Sequence, residues 1–184
     1  MDIAQTSMAG VLKLHLPRAL DERGSLVKFF DREQFLKHNL PADFAEDLYT
    51  QSRRGVLRGM HFQVPPHTQA KLISCIAGAV VEVLIDVRRR SPTYGVCERF
   101  ELSGGDGIAL YVPAGIAHGF YVTSENAVML YKLSHAYFRE SDGGILWSSI
   151  DFDWPDKRPM VSPRDAALPP LADFKTPFEF TRAQ

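Results

Sequence analysis

The segment from residue 47 to residue 134 is a series of short apolar stretches separated by turn residues. Its stretches are rich in Val, Ile, Leu and aromatic residues, and they read LISCIAGAVVEVLIDV, CERFELS, GIALYVP, HGFYVTS and AVMLYKLS. Turn signals fall between them at Gly104–Gly107, Pro113–Gly115 and Ser124–Asn126. Strands spaced at about 8–12 residues, with no helical periodicity between them, predict an antiparallel sandwich or barrel.

The regions on either side of these strands carry other patterns. Residues 8–30 are predicted to form two short strands around a turn at Asp21–Gly24, and residues 31–40 to form a short helix. The proline-rich tail, residues 139–184, predicts irregular segments and short helical turns wrapped over the strands. Because we find no internal repeat, linker or low-complexity segment, residues 1–184 are expected to form a single domain.

Composition and charge exclude several classes of protein. With 45% hydrophobic and 23% charged residues the chain has globular composition, and its net charge of −1 lacks the basic excess of a nucleic-acid-binding protein. The longest uncharged apolar stretch, residues 72–81, is about half a membrane span, and the first thirty residues do not resemble a signal peptide. Cys75 and Cys97 are expected to be buried free thiols. We therefore expect a cytoplasmic protein with no membrane and no nucleic-acid partner.

One local motif suggests which β-fold is formed. Gly107, Pro113, Gly115 and His118 give the pattern Gly-x5-Pro-x-Gly-x2-His, in which a tight turn between two strands is followed by a histidine. The pattern resembles the second signature of the cupin superfamily. That resemblance implies an all-β, cupin-type jelly-roll β-barrel with a few short helices.

Metal-binding cupins use this histidine as a ligand, together with a His-x-His motif and a downstream Glu. Here His61 is followed by Gln63 in place of a second histidine, and Lys71 lies near the expected carboxylate. A neutral amide and an ammonium group are poor partners for a transition metal. We therefore expect neither a metal nor another cofactor.

Nine ordered blocks make the resemblance more specific. Together they resemble the nucleotide-diphospho-4-keto-sugar 3,5-epimerase family from about residue 10 to residue 175. This implies an isomerase that acts on a nucleotide-diphospho-4-keto sugar in deoxysugar or surface-polysaccharide biosynthesis, and a homodimer whose N-terminal strands reach the neighbouring subunit. The blocks are RGVLRGMHFQ (54–63), AKL (70–72), DVRRRSPTYG (86–95), ELS (101–103), VPAGIAHGF (112–120), LYK (130–132), GGILW (143–147), DWP (153–155) and SPRDAALPPL (162–171).

The reaction itself defines the groups that are needed. The hydrogens at C3 and C5 flank the C4 ketone, so inversion requires a base on one face, an acid on the other and a donor at the enolate oxygen. By the resemblance, His61 is the base and Asp165 its carboxylate partner. Tyr131 occupies the position of the acid, and Lys71 lies near the C4 oxygen.

Five further residues match binding positions of the family. Arg23 and Arg58 are expected to bind the diphosphate, since guanidinium groups pair with phosphate oxygens. Gln63, His118 and Tyr137 are expected to contact the sugar or the nucleotide.

The sequence also departs from the family pattern, mostly around the nucleotide-binding end. These departures leave the identity of the nucleotide undetermined, so a GDP-, CDP- or dTDP-linked hexose or heptose fits the sequence. The departing residues are Leu26 for Phe, Lys28 for Glu, Glu46 for Gln, Leu48 for Asn and Glu82 for Asp.

Alternative functions remain open at this point. A single-position epimerase or a 3,4-ketoisomerase would share most of these residues. A non-catalytic cupin that binds a nucleotide sugar would be favoured by loss of the base or the acid, and both are present. A metal-dependent cupin oxygenase is disfavoured because the His-x-His motif is absent.

Overall fold

Two antiparallel sheets packed face to face make up most of the structure, a computed structural model that describes residues 1–181. Within these residues the strands are β1 (Asp2–Gln5), β2 (Leu12–His15), β3 (Arg18–Asp21), β4 (Gly24–Val27), β5 (Glu46–Arg53), β6 (Leu57–Gln63), β7 (Lys71–Ala77), β8 (Ala79–Asp86), β9 (Cys97–Ser103), β10 (Ile108–Val112), β11 (Ile116–Val122), β12 (Asn126–Leu133) and β13 (Asp142–Gly144).

The strand order differs strongly from the chain order. One sheet runs β1-β2-β10-β7-β12-β5, the other runs β13-β6-β11-β8-β9, and β3 pairs only with β4 as a separate hairpin. Such double-sheet packing with long connections between sheets is the architecture of a jelly roll. The predicted all-β jelly-roll fold is confirmed.

The helices are short and lie outside the sheets. They are α1 (Arg32–Lys37), α2 (Pro163–Ala166) and two 3-10 turns at Trp147–Ser149 and Leu171–Asp173. The helix predicted near residues 31–40 begins after Asp31, whose carboxylate accepts hydrogen bonds from two backbone N–H groups of the first turn. Among residues 1–181, no helix is long and apolar enough to cross a bilayer.

The longest apolar run in the sequence, LISCIAGAVVEVLIDV, is divided at Gly78 into β7 and β8, which belong to different sheets. Gly78 has a φ of +75°, and a Cβ there would lie 1.9 Å from the carbonyl oxygen of Asn126. Only glycine fits this crossing point. The run is therefore two strands, each buried in its own sheet.

The core is divided by the alternation of side chains along the strands. On β8, Val80 and Leu84 pack between the sheets, whereas Val81, Val83 and Ile85 pack against the outer cluster. That outer cluster is closed by residues of the tail, which supply Ile145, Ile150, Trp154 and Phe178. The tail is thereby fixed against the sheet that carries β6 and β11.

Candidate active site

A cavity of about 320 Å³ opens between the two sheets, and six of the residues predicted from the sequence line it. Five of them lie on the strands β6, β7, β11 and β12, and Tyr137 lies in the loop after β12. These six residues are Arg58, His61, Lys71, His118, Tyr131 and Tyr137.

The strand register brings the two cavity histidines together. On the adjacent strands β6 and β11, His61 lies directly opposite His118, with 6.3 Å between the ring centroids. The ring of Tyr131, on β12 of the other sheet, lies 5.9 Å from that of His118. His61 and Tyr131 therefore approach the cavity from opposite sheets.

His61 forms a hydrogen-bonded pair with Asp165. The Nε2 atom of His61 lies 2.8 Å from Oδ1 of Asp165, and the backbone N–H of Gly59 donates to Oδ2 at 3.3 Å. Burial alone would raise the pKa of Asp165, but these hydrogen bonds and the charge of Arg164 hold it below its usual value. When the Nε2–H of His61 donates to the ionised Asp165, Nδ1 is the ring nitrogen that remains to accept a proton.

Arg164 is a site residue that the sequence analysis missed. Its guanidinium lies 2.9 Å from Nε2 of His61 and donates to Oδ1 of Asp165 at 3.2 Å. Its other nitrogen donates to Oδ1 of Asp142 on β13 at 2.6 Å. A basic residue directly before the carboxylate in the SPRD block was the available signal, but a short helical turn gives no periodicity from which to infer its direction.

Lys71 places an ammonium group inside the cavity wall. Its Nζ donates to Oε1 of Gln69 at 3.0 Å, and the side chain is buried. Burial lowers the pKa of Lys71 to about 8, against the opposing charges of Asp142 and Glu46. A cation in this water-poor position can stabilise negative charge that develops on a nearby oxygen.

The phenol of Tyr131 is buried in the cavity wall. Only 4% of the residue is exposed, and burial raises its pKa well above the usual value. The phenol is thus present as the protonated acid throughout the neutral range. Its position on the sheet opposite His61 is the one that a second, opposite-face proton donor needs.

His118 is hydrogen-bonded deeper in the fold, through Nδ1, to Oε1 of Glu82 at 3.0 Å. Burial lowers the pKa of His118 well below its usual value, and the charges of Lys71 and His61 act in the same direction. The ring is accordingly neutral. Glu82 was noted in the sequence only as a departure from the family pattern, and the structure places it in contact with the site.

Arg58 and Tyr137 lie on the exposed side of the cavity. Arg58 uses Nε to donate to Oγ of Ser52 at 2.9 Å, and its terminal nitrogens make no hydrogen bond within residues 1–181. The backbone N–H of Tyr137 donates to Oε2 of Glu46 at 2.7 Å. A free guanidinium end and an exposed aromatic ring at one rim suit a diphosphate and the ring of a nucleoside or sugar.

Gln63 is not among the residues that line the cavity, and its expected contact with the substrate stays a prediction. Its amide nitrogen donates to the carbonyl oxygens of His67 and Ala136, at 2.8 and 3.3 Å, and its oxygen accepts from the N–H of Phe138 at 2.7 Å. All of its strong hydrogen-bonding positions are used on backbone. Gln63 therefore supports the loop that carries Tyr137.

Arg23 also lies away from the cavity of its own chain. It occupies the turn of the β3–β4 hairpin, where its exposed guanidinium pairs with Asp21. The hairpin turn predicted at Asp21–Gly24 is confirmed. Arg23 is not among the residues that line the cavity with Arg58, and its expected role in binding the diphosphate stays a prediction.

The described part of the chain, residues 1–181, contains no group of three or more His, Cys, Asp or Glu side chains placed to hold a metal ion. Cys75 and Cys97 are both free, and only Cys75 is fully buried. Burial raises the pKa of each thiol to about 11.

Comparison with known proteins agrees with this geometry. The family model described as dTDP-4-dehydrorhamnose 3,5-epimerase matches residues 5–173. The chain belongs to this family. The predicted class of enzyme, an isomerase of the epimerase type, is thereby confirmed.

Individual members of the dTDP-4-dehydrorhamnose 3,5-epimerase family match nearly end to end. The chain is 36% identical over 168 residues to the dTDP-4-dehydrorhamnose 3,5-epimerase of Shigella flexneri, covering 90% of this chain and 93% of that one. A dTDP-4-dehydrorhamnose 3-epimerase of Streptomyces niveus is 34% identical, covering 90% and 81%. The crystal structure of the Legionella pneumophila dTDP-6-deoxy-D-glucose-3,5-epimerase in complex with dTDP-4-keto-L-rhamnose superposes with a TM-score of 0.87, at 34% identity and 93% coverage of each chain.

Proposed function

We propose that this chain inverts C3 and C5 of a dTDP-4-keto-6-deoxyhexose by removing and returning a proton on opposite faces of the sugar. The observation that carries this proposal is the placement of the His61–Asp165 pair and the Tyr131 phenol on opposite sheets around one cavity. A single group that both took and returned the proton would exchange hydrogen without inversion. When one group takes the proton from one wall of the cavity and a second group returns a proton from the opposite wall, the carbon is inverted.

The steps follow from the groups present. Nδ1 of His61 takes the proton from the carbon next to the C4 ketone, and the electron pair of that C–H bond moves to give an enolate. Lys71 and His118 lie where they can stabilise the enolate oxygen, and Asp165 stabilises the imidazolium that forms. Tyr131 then protonates the carbon from the other side. Before the next turnover the imidazolium of His61 gives its proton to water and the phenolate of Tyr131 takes one from water, so both groups return to their starting states.

The nucleotide end of the substrate is proposed to lie over the rim formed by Arg58 and Tyr137. The terminal nitrogens of Arg58 would donate to the diphosphate. Support for dTDP as the nucleotide comes from relatives whose names specify dTDP sugars, including the Legionella enzyme with bound dTDP-4-keto-L-rhamnose. Glu46 and Leu48 at this rim differ from the family pattern, so GDP and CDP sugars belong in the test.

We also propose that the chain works as a homodimer of single-domain subunits in the cytoplasm. The β3–β4 hairpin projects two exposed leucines, Leu20 and Leu26, with 65% and 62% of their surfaces accessible. Exposed apolar side chains on the strands of a hairpin are suited to contact a second copy. In such a dimer the guanidinium of Arg23 would reach the active-site cavity of the other subunit and bind the diphosphate there. Mixing Arg23→Ala protein with His61→Ala protein should then restore part of the activity that each variant lacks.

A second candidate is inversion at C3 alone. It is favoured by the relative from Streptomyces niveus, which is named as a 3-epimerase at an identity close to that of the 3,5-epimerases. His61, Tyr131 and Lys71 could invert one carbon atom of the sugar as well as two. The distinction depends on whether the sugar can turn in the cavity to present C5 to His61.

Incubation in deuterated water decides between these candidates. We expect dTDP-4-keto-6-deoxyglucose to gain deuterium at both C3 and C5 and to yield the doubly inverted sugar, followed by proton NMR. Deuterium at C3 alone would establish the second candidate. A wild-type protein that exchanges neither position, with the dTDP, GDP and CDP sugars alike, would disprove the epimerase proposal.

A further inference from the structure

Glu82 is a carboxyl group in an apolar part of the core. It lies on β8 between Val80 and Leu84, which pack between the two sheets, and none of its surface is exposed. Its Oε1 is hydrogen-bonded to Nδ1 of His118 at 3.0 Å. Its Oε2 is buried and has no hydrogen-bond partner within residues 1–181.

Two other buried carboxylates, Asp86 and Asp165, accept more hydrogen bonds than Glu82 does. Asp86, four residues further along β8, accepts hydrogen bonds from the backbone and guanidinium of Arg88 and from the hydroxyls of Ser91 and Thr93. Asp165 accepts them on both oxygens, as described above. An ionised carboxylate needs several donors when it is buried. Glu82 has one.

The charges around Glu82 do not replace the missing donors. Apart from His118, no cationic nitrogen in residues 1–181 lies within 4.0 Å of its oxygens. The titratable groups that face it more distantly are Lys71 and Cys75 on β7 and Tyr131 on β12. An imidazolium at His118 would be placed next to the cations of the cavity, so an ion pair between Glu82 and His118 is also disfavoured.

We propose that Glu82 is a protonated carboxylic acid whose hydroxyl donates to Nδ1 of His118, which fixes His118 as the neutral tautomer with its proton on Nε2. The reverse arrangement, with the acid proton on Oε2, would bury an O–H group without an acceptor. The protonation states agree with burial, which raises the pKa of Glu82 well above its usual value and lowers that of His118.

The consequence for the site is a second hydrogen-bond donor at the cavity. Nε2 of His118 makes no hydrogen bond within residues 1–181, and His118 lines the cavity, so its N–H can donate to an oxygen of the ligand. Together with Lys71 it would hold the C4 oxygen as negative charge develops. Glu82 is then a positioning residue, acting through His118. This catalytic consequence rests on the proposed function, whereas the protonation state does not.

The protonation state can be measured on the wild-type protein without substrate. Infrared spectra at pH 7 should contain the carbonyl band of a protonated carboxylic acid, and this band should be absent from Glu82→Gln. In nitrogen NMR of histidine-labelled protein, with the signal assigned by His118→Asn, His118 should be protonated on Nε2 alone. A carboxylate band for Glu82, or a doubly protonated or Nδ1-protonated His118, would overturn the proposal.

Exchange kinetics test the consequence separately. In Glu82→Gln the amide can still donate to Nδ1, so deuterium exchange should slow by less than tenfold, whereas Glu82→Met lacks the donor and should be slower by about tenfold or more relative to Glu82→Gln. The equivalent change in the other pair, Asp165→Asn, should slow exchange by about two to four orders of magnitude. Equal damage from Glu82→Gln and Asp165→Asn would show that Glu82 works as a carboxylate and refute the proposal. If the wild-type protein exchanges nothing, the proposed function fails while the spectra still decide the state of Glu82.

Discussion

Nε2 of His61 lies 2.8 Å from Oδ1 of Asp165, although 104 residues separate the two in the chain. His61 is on a central strand, and Asp165 is on a four-residue helix of the tail. The helix is set by Ser162, whose hydroxyl accepts from the N–H of Asp165 at 3.0 Å. A pair assembled from such distant segments is held in place by the packing of the tail on the sheet.

His61→Ala should abolish deuterium exchange into the substrate, because no other group is placed to take the proton. Asp165→Asn should reduce exchange by about two to four orders of magnitude, since the imidazole loses its orienting carboxylate. Proton NMR in deuterated water measures both. His38→Ala, an exposed histidine at the end of α1, is the matched control and should exchange at the wild-type rate. Near-normal exchange by His61→Ala would contradict the assignment of the base.

Tyr131→Phe should separate proton removal from inversion. The ring and its packing remain, so His61 should still exchange deuterium into the sugar, while formation of the inverted product should fall far more steeply. Both rates come from one NMR time course. Tyr94→Phe, at an exposed tyrosine outside the cavity, should change neither. Equal losses of exchange and inversion would instead assign Tyr131 to binding or to the enolate oxygen.

The pH profile should report the ammonium group of Lys71. Its pKa of about 8 means that the charge is lost as pH rises through this value, so kcat/KM should decline on the alkaline side near pH 8. Tyr131 cannot cause this decline, because its pKa is raised rather than lowered. Lys71→Arg keeps a charge at all these pH values and should remove the decline, at a lower overall rate. A wild-type profile that stays flat to pH 10 would exclude a required ammonium at Lys71.

Arg164→Gln should lower kcat about tenfold, the order expected for losing a hydrogen bond to a charged group. The guanidinium connects Asp165 to Asp142, so its loss frees the short helix that orients His61. Steady-state kinetics should show the effect in kcat more than in KM, because Arg164 acts on the pair and not on the ligand. Arg158→Gln, an exposed arginine of the tail, provides the control. A change confined to KM would point instead to direct substrate binding by Arg164.

Activity should survive exhaustive treatment with EDTA. Gln63 occupies the position of a second histidine ligand, and its amide is engaged with the backbone of the 136–138 loop. Elemental analysis of the purified protein should find no stoichiometric transition metal. Loss of activity with EDTA that is reversed by zinc, iron or manganese would contradict this expectation.

Much of the fold follows from local patterns in the sequence. The turns at Gly104–Gly107, Pro113–Gly115 and Ser124–Asn126 separate strands where they were predicted, because glycine, proline and asparagine signal turns by their own backbone preferences. β1 and β13 were missed because each is very short, and β13 pairs with the distant strand β6. Residues 8–30 contain three strands, β2, β3 and β4, where two were predicted. The change of sheet at Gly78 has no local signal, because the strands on both sides of this glycine are mostly apolar.

The site was predictable where a motif names the residue and its direction follows from the strand. His61, Lys71, His118 and Tyr131 line one cavity, as strand alternation allows. The roles assigned to them stay predictions. Gln63 lies on the same strand as His61, but the loop beyond β12 folds over its amide, a tertiary contact that no local pattern contains. Arg23 carries no such signal either, and it lies in the turn of the β3–β4 hairpin, outside the residues that line the cavity of its own chain.

The location of Asp165 in the tail also has a consequence for how the enzyme is made. A ribosome releases the chain from its N-terminus, so His61 and the strands that carry Lys71, His118 and Tyr131 emerge before Asp165 does. A nascent chain with both sheets in place would hold an unpaired base. The His61–Asp165 pair is therefore completed late in synthesis, and products of premature termination before residue 165 would lack the carboxylate that orients the base.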